Sequence, residues 1–261
     1  MDNRVNPGVA LELPILEWLL LLSSLGNTVA YGLHDPGAPP QAFEGDEPHG
    51  PQLILGAGDG PSQASAAAEL RALVEVCHAP SHTLFLETYD RDRVSSARVF
   101  FFRDHRIVEQ TRRGRSSVHL RRVDGRTALI EDIQGILRIP ADALPLVDAL
   151  RLPAETLSRV RSITLQGESR EAEEALTHEG LSDETATVVA RVFRTVVFSA
   201  SLAFVSSNTA VSTPAARGFC VLSGPEEALM LKPSRTRARE SVEIHPADAE
   251  RIAAELQGLL P

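Results

Sequence analysis

Three short stretches in the second half of this 261-residue chain restate stretches of the first half, in the same order. Ala97-Arg98-Val99-Phe100 returns as Ala216-Arg217-Gly218-Phe219, and Ser117-Val118-His119-Leu120 returns as Ser241-Val242-Glu243-Ile244. Asp132-Ile133-Gln134-Gly135-Ile136-Leu137 returns as Glu255-Leu256-Gln257-Gly258-Leu259-Leu260. Their offsets are 119 (98 to 217), 124 (118 to 242) and 123 (134 to 257). Ahead of them, Ala10-Leu11-Glu12-Leu13-Pro14 is echoed 139 residues later by Ala149-Leu150-Arg151-Leu152-Pro153. Echoes in a fixed order point to a diverged internal duplication, with repeats over about 9–140 and 148–261. The fall from 139 to about 120 means that the first copy carries an insertion, which the Gly- and Pro-rich stretch 27–60 supplies.

Within each repeat the same elements are expected. Residues 9–13 read as a strand, and Pro14 suits the first turn of a helix through Leu25, since its missing N–H has no intrahelical partner there. Ser62 caps a helix through Val76, with Leu70, Leu73, Val74 and Cys77 on one face. Four strands follow at 83–89, 97–103, 107–112 and 117–121, joined by turn residues that include Asp90, Asp104 and Gly114. A helix over 126–137 closes the first copy. The second copy runs as a strand at 147–152 and a helix from Pro153 to about Arg161. A helical hairpin comes next, its second arm starting at Ser182-Asp183, then strands at 196–206, 217–222, 229–232 and 241–244. Pro246 is expected in the first turn of the last helix, whose Ile252, Leu256, Leu259 and Leu260 follow helical spacing.

Charge narrows the partners. Net charge is −9 and the isoelectric point is about 5.4, which disfavours nucleic acid or an anionic membrane surface, both of which attract a clustered positive field. Lys232 is the only lysine, whereas arginine is plentiful. Two cysteines, Cys77 and Cys220, cannot build a disulfide framework, and both sit in apolar sequence, where a thiol behaves as a small buried hydrophobe. The start of the chain lacks a signal peptide's basic opening and cleavage site. The apolar run Ile15–Leu25 is about half the length that spans a bilayer and contains Glu17. No membrane insertion and a cytoplasmic location are expected.

The chemical motifs lead to no catalytic, metal or cofactor site. Gly56-Ala57-Gly58-Asp59-Gly60 has Pro61 where a dinucleotide-binding fingerprint needs glycine, and no Gly-Lys-Ser/Thr follows. Cys77, His78 and His82 lie close in sequence, but no second cluster completes a tetrahedral zinc site. No Gly-x-Ser-x-Gly elbow is present. Arginines 112, 113, 115, 121 and 122 crowd one pair of strands, and Arg113 and Arg115 are expected to project together as a solvated face or a contact for an acidic partner.

The C-terminal elements resemble the EspG family, cytosolic chaperones of ESX (type VII) secretion in actinobacteria. The residues concerned are Thr213-Pro214-Ala215-Ala216-Arg217-Gly218, where the family's usual Gly-Arg order is inverted, and Val242-Glu243-Ile244-His245-Pro246-Ala247-Asp248 before Ile252–Leu260. Leu150-Arg151-Leu152-Pro153-Ala154-Glu155-Thr156-Leu157 and Val118–Val123 fit the same pattern, so the similarity covers roughly 62–261. It implies a single α+β, EspG-like domain with an internal pseudo-twofold, a central antiparallel sheet and flanking helical bundles. It also implies a non-enzymatic chaperone or adaptor, without cofactor, that binds a helical secreted protein of the PE–PPE or WXG100-like kind and keeps it soluble for export. A monomer or homodimer would serve. The family's gripping loop corresponds to the turn Tyr89–Ser95, so Tyr89, Arg91, Arg93 and Val94 are the expected partner contacts, together with Arg113 and Arg115. A stand-alone interaction scaffold of the same fold is the alternative, and an enzyme using 27–60 as a lid is the third.

Overall fold

A computed structural model describes residues 10–14, 52–54, 63–90, 93–113, 117–139, 150–206, 217–235 and 240–261. The expected helix over 15–25, Trp18, the glycine run 56–60 and all of 27–60 except Gln52–Ile54 lie outside them. Among the described residues there are eleven strands and six helices. The chain divides into two compact units. One comprises Met1–Leu86, Ser96–Leu129 and Phe204–Ala216, and the other Glu87–Ser95, Ile130–Ala203 and Arg217–Pro261.

In the first unit, β1 (Ala10–Pro14) pairs antiparallel with β2 (Gln52–Ile54) on one side and β6 (Ser117–Val123) on the other. From β6 the ladder continues through β5 (Arg106–Arg113) and β4 (Arg93–Arg103) to β3 (His82–Asp90). Asp104 and His105, the two residues between β4 and β5, both have positive φ, +48° and +63°. That is the geometry of a type I′ turn, whose twist matches that of the strands it joins. Helix α1 (Gln63–His78) lays Leu73, Val74, Val76 and Cys77, a helical i, i+3, i+4 pattern, on Val99, Phe101, Val108, Val118 and Leu120 of the sheet. Four successive β4 residues, Val99–Phe102, are buried, as a strand covered on both faces requires. Burial pushes the Cys77 thiol far above its usual range, so it packs as a hydrophobe, as expected.

The second unit contains β7 (Leu150–Pro153), α3 (Ala154–Leu165), α4 (Ser169–His178), α5 (Asp183–Thr195) and most of β8 (Phe198–Ser206). After these come β9 (Arg217–Ser223), β10 (Ala228–Arg235), β11 (Glu240–Pro246) and α6 (Ala249–Leu259). Its strands lie in the order β8-β9-β10-β11-β7. The three helices bury Leu157, Val160, Ile163, Leu176, Ala186 and Val189 against Leu152, Leu229 and Ile244. Gly180, at φ +93°, ends α4 in the left-handed conformation that glycine adopts without strain, and the Leu181 N–H then returns to the Leu176 carbonyl. Ser182 caps α5, its Oγ accepting the Thr185 N–H at 3.3 Å. Lys232 on β10 donates to both carboxylate oxygens of Glu255 on α6, at 2.8 and 2.7 Å.

Some boundaries move. Pro246 is the last residue of β11, opposite Leu229, and does not open α6. Asp248 is the N-cap, its carboxylate accepting the Arg251 N–H at 2.7 Å, and this places the helix start at Ala249. Helix α3 runs four residues past Arg161 because Val160, Ile163 and Thr164 continue its buried stripe.

The strand orders of the two units correspond. An opening strand pairs with the last strand of a four-strand meander in each: β1 with β6 ahead of β5-β4-β3, and β7 with β11 ahead of β10-β9-β8. Leu11 stands opposite Leu120, and Leu150 opposite Ile244. These are the positions that the sequence echoes equate.

Candidate partner-binding surface

Strands β8 and β9 of the second unit each show a strict period of two. Phe198, Ala200, Leu202, Phe219 and Val221 are buried on one face. The alternate positions Ser199, Ser201, Ala203, Gly218 and Cys220 are half-buried on the other. The second face is thus a floor of small side chains. Gly218 is enforced by the backbone: a Cβ there would lie 2.0 Å from the Leu202 carbonyl oxygen. The Cys220 Sγ lies 3.7 Å from the Ser201 Oγ. Alternation therefore corrects the expected environment of Cys220, which shares this face with serines while its neighbours Phe219 and Val221 enter the core.

The end of β3 stands beside this floor. Glu87 and Tyr89 project from the same side of the strand, and the Tyr89 hydroxyl donates to the Glu87 carboxylate at 2.6 Å. That bond, with smaller contributions from burial, the Glu87 charge and nearby Cys220, pushes the Tyr89 phenol up to about 12. Asp90 follows, and β4 begins at Arg93. Arg138, just past α2 (Gly125–Ile136), has φ +49°. Its guanidinium lies 5.2 Å from the Phe198 ring centroid and 3.8 Å from the Asp90 carboxylate.

Of the contact residues expected from sequence, Tyr89, Arg93 and Val94 fall on this one hairpin. Arg113 ends β5 opposite Ser117 and belongs to the other compact unit. Arg91 and Arg115 lie outside the described residues. Among the described residues, the arginines of these strands do not all share one face. Arg121 and Arg122 alternate in direction, and Arg121 is engaged with Glu109, which also holds Arg98 at 2.6 Å. Glu109 is only 3% exposed, so the two guanidiniums neutralise a buried carboxylate. The sequence signal for the floor is the alternation Phe198-Ser199-Ala200-Ser201-Leu202-Ala203-Phe204, since small residues by themselves do not mark a surface.

Polar groups elsewhere make a different kind of surface. An open depression of about 440 Å³ on α4 and α5 is lined by Arg170, Glu173, Glu174, Thr177, His178 and Asp183. Arg170 pairs with Glu174 at 3.0 Å, and most of these side chains are exposed, so water solvates the charges that a catalytic pocket would shield. Among the described residues no group of His, Cys, Asp and Glu is placed to hold a metal ion. Cys77 is in the α1 core, whereas His82 stacks on Phe204 with ring centroids 5.3 Å apart. Among the described residues no helix is long and apolar enough to cross a membrane.

An antiparallel α+β fold of this strand order is shared with a solved structure. The fold is similar to that of the Mycobacterium tuberculosis type VII secretion system chaperone EspG5, solved in complex with the PE25–PPE41 dimer. The TM-score is 0.59 over 74% of this chain and 77% of that chain, at 13% sequence identity. The likeness establishes an EspG-like fold. No family model matches the sequence, and no curated protein is similar to it by sequence.

Proposed function

We propose that this protein is a cytoplasmic chaperone or adaptor that holds a helical secreted protein of the PE–PPE or WXG100-like kind in soluble form for type VII (ESX) export, without catalysis or a cofactor. The observation that carries this reading is the floor of Ser199, Ser201, Ala203, Gly218 and Cys220 beside Tyr89. Small side chains allow a partner's helical tip to approach the strands closely, and covering an exposed apolar tip prevents its aggregation. The likeness to EspG5, a chaperone solved with a PE–PPE dimer, supports the same reading. Tyr89, Arg91, Arg93, Val94, Arg113 and Arg115 are proposed as further partner contacts.

Pull-down of the tagged chain from its native cytosol, with mass spectrometry of the bound proteins, tests this. A helical secreted pair is the expected catch, and recovery of metabolic enzymes alone would overturn the proposal. Ser201→Trp, which fills the floor, should abolish co-purification of that pair while circular dichroism and a cooperative thermal transition show that the variant is folded. If the chain binds helical partners that are never exported, it is a scaffold of the same fold without a secretion role.

A further inference from the structure

We propose that Arg138 is a positioning residue for the β3–β4 hairpin, fixing the pose in which Tyr89 and its neighbours meet a partner; this rests on the function proposed above. Three observations within the second unit converge on it. First, Arg138 has φ +49°, a left-handed conformation that costs an arginine energy and that glycine would adopt freely. Second, the side chain is 66% exposed, so no burial requirement holds an arginine at this place. Third, the unfavourable backbone directs the guanidinium to two groups at once. It stacks over Phe198, the buried first residue of β8, at 5.2 Å, and reaches the carboxylate of Asp90, the last residue of β3, at 3.8 Å. Phe198 is fixed in the core, so the contact to Asp90 ties the hairpin to a rigid point.

The geometry separates this role from simple helix termination. The last turn of α2 is closed by the Leu137 N–H, which bonds the Ile133 and Gln134 carbonyls at 3.1 and 3.2 Å without any help from the Arg138 side chain. Leu137 is fully buried and anchors the helix end. Removing the guanidinium therefore leaves α2 intact and frees only the hairpin.

Amide hydrogen exchange on the free, full-length protein tests this with Arg138→Gly, Arg138→Lys and Asp90→Asn. Arg138→Gly accepts the positive φ and should keep the wild-type melting temperature or exceed it. Exchange across Glu87–Ser95 should rise about fivefold, the scale of one exposed ion pair plus one cation–π contact. Arg138→Lys retains the charge and should restore slow exchange to within about twofold, and Asp90→Asn should reproduce part of the Arg138→Gly effect. Unchanged exchange at 87–95 in Arg138→Gly, or acceleration spread equally over α2 and β8, would overturn the proposal. No partner enters this measurement, so its failure is distinct from failure of the chaperone assignment.

Discussion

At the scale of single residues, two side-chain positions carry consequences that can be measured directly. Gly218 faces the Leu202 carbonyl so closely that an added methyl group meets backbone at 2.0 Å, where no side chain can swing aside. Gly218→Ala should therefore cost about 2–3 kcal/mol and lower the melting temperature by roughly 4–12 °C, read by thermal unfolding. Tyr89 offers the second test. Its phenol is pushed up to about 12, first by the hydrogen bond to Glu87. The raised folded-state value means that the contribution to stability is complete below the unfolded pKa of about 10 and is lost as pH rises through about 12. Ultraviolet titration with Tyr31→Phe, which leaves one tyrosine, should place the transition near 12, and Glu87→Gln should move it down.

At the scale of elements, the strands of the first unit are joined through Glu109. Its carboxylate sits on β5 and receives Arg98 from β4 and Arg121 from β6, so three strands share one buried charge. Loss of the carboxylate would leave two guanidiniums facing each other. Both are 31% exposed and retain some access to water, which reduces the usual penalty for breaking a buried pair. Glu109→Ala should cost about 2–3 kcal/mol in chemical denaturation, whereas Arg98→Ala, which leaves Arg121 in place, should cost about 1 kcal/mol. Glu109 lies inside the buried run Ile107–Gln110, where a charge requires a partner. Composition alone counted Arg121 as part of a solvated cluster, because the pairing depends on register and not on nearness along the chain.

At the scale of the whole molecule, the order of elements was the most legible feature. Turn residues and periodicity located both meanders and the helical hairpin, because each depends on local chemistry. The junction into α6 was shifted because a proline and an aspartate both suit a helix start, and the Asp248 hydrogen bond decided between them. The floor was harder to recognise. Its residues are notable for what they lack, and their partial exposure follows from the alternation of the two strands. The internal duplication remains our proposal for the origin of the two repeats. It is supported by matching strand orders and by the pairs Leu11–Leu120 and Leu150–Ile244 falling at equivalent places. The compact units exchange segments relative to the repeats: the first takes Phe204–Ala216, and the second takes Glu87–Ser95 and the end of the first repeat from Ile130.

The clasp between Lys232 and Glu255 has a practical consequence. Lys232 is the sole lysine of the chain, so reagents that couple to side-chain amines have one address on the whole molecule. That address lies where α6 meets β10. Coupling there consumes the amine that Glu255 holds, so a dye or spin label at this address reads how the last helix seats once that clasp is released.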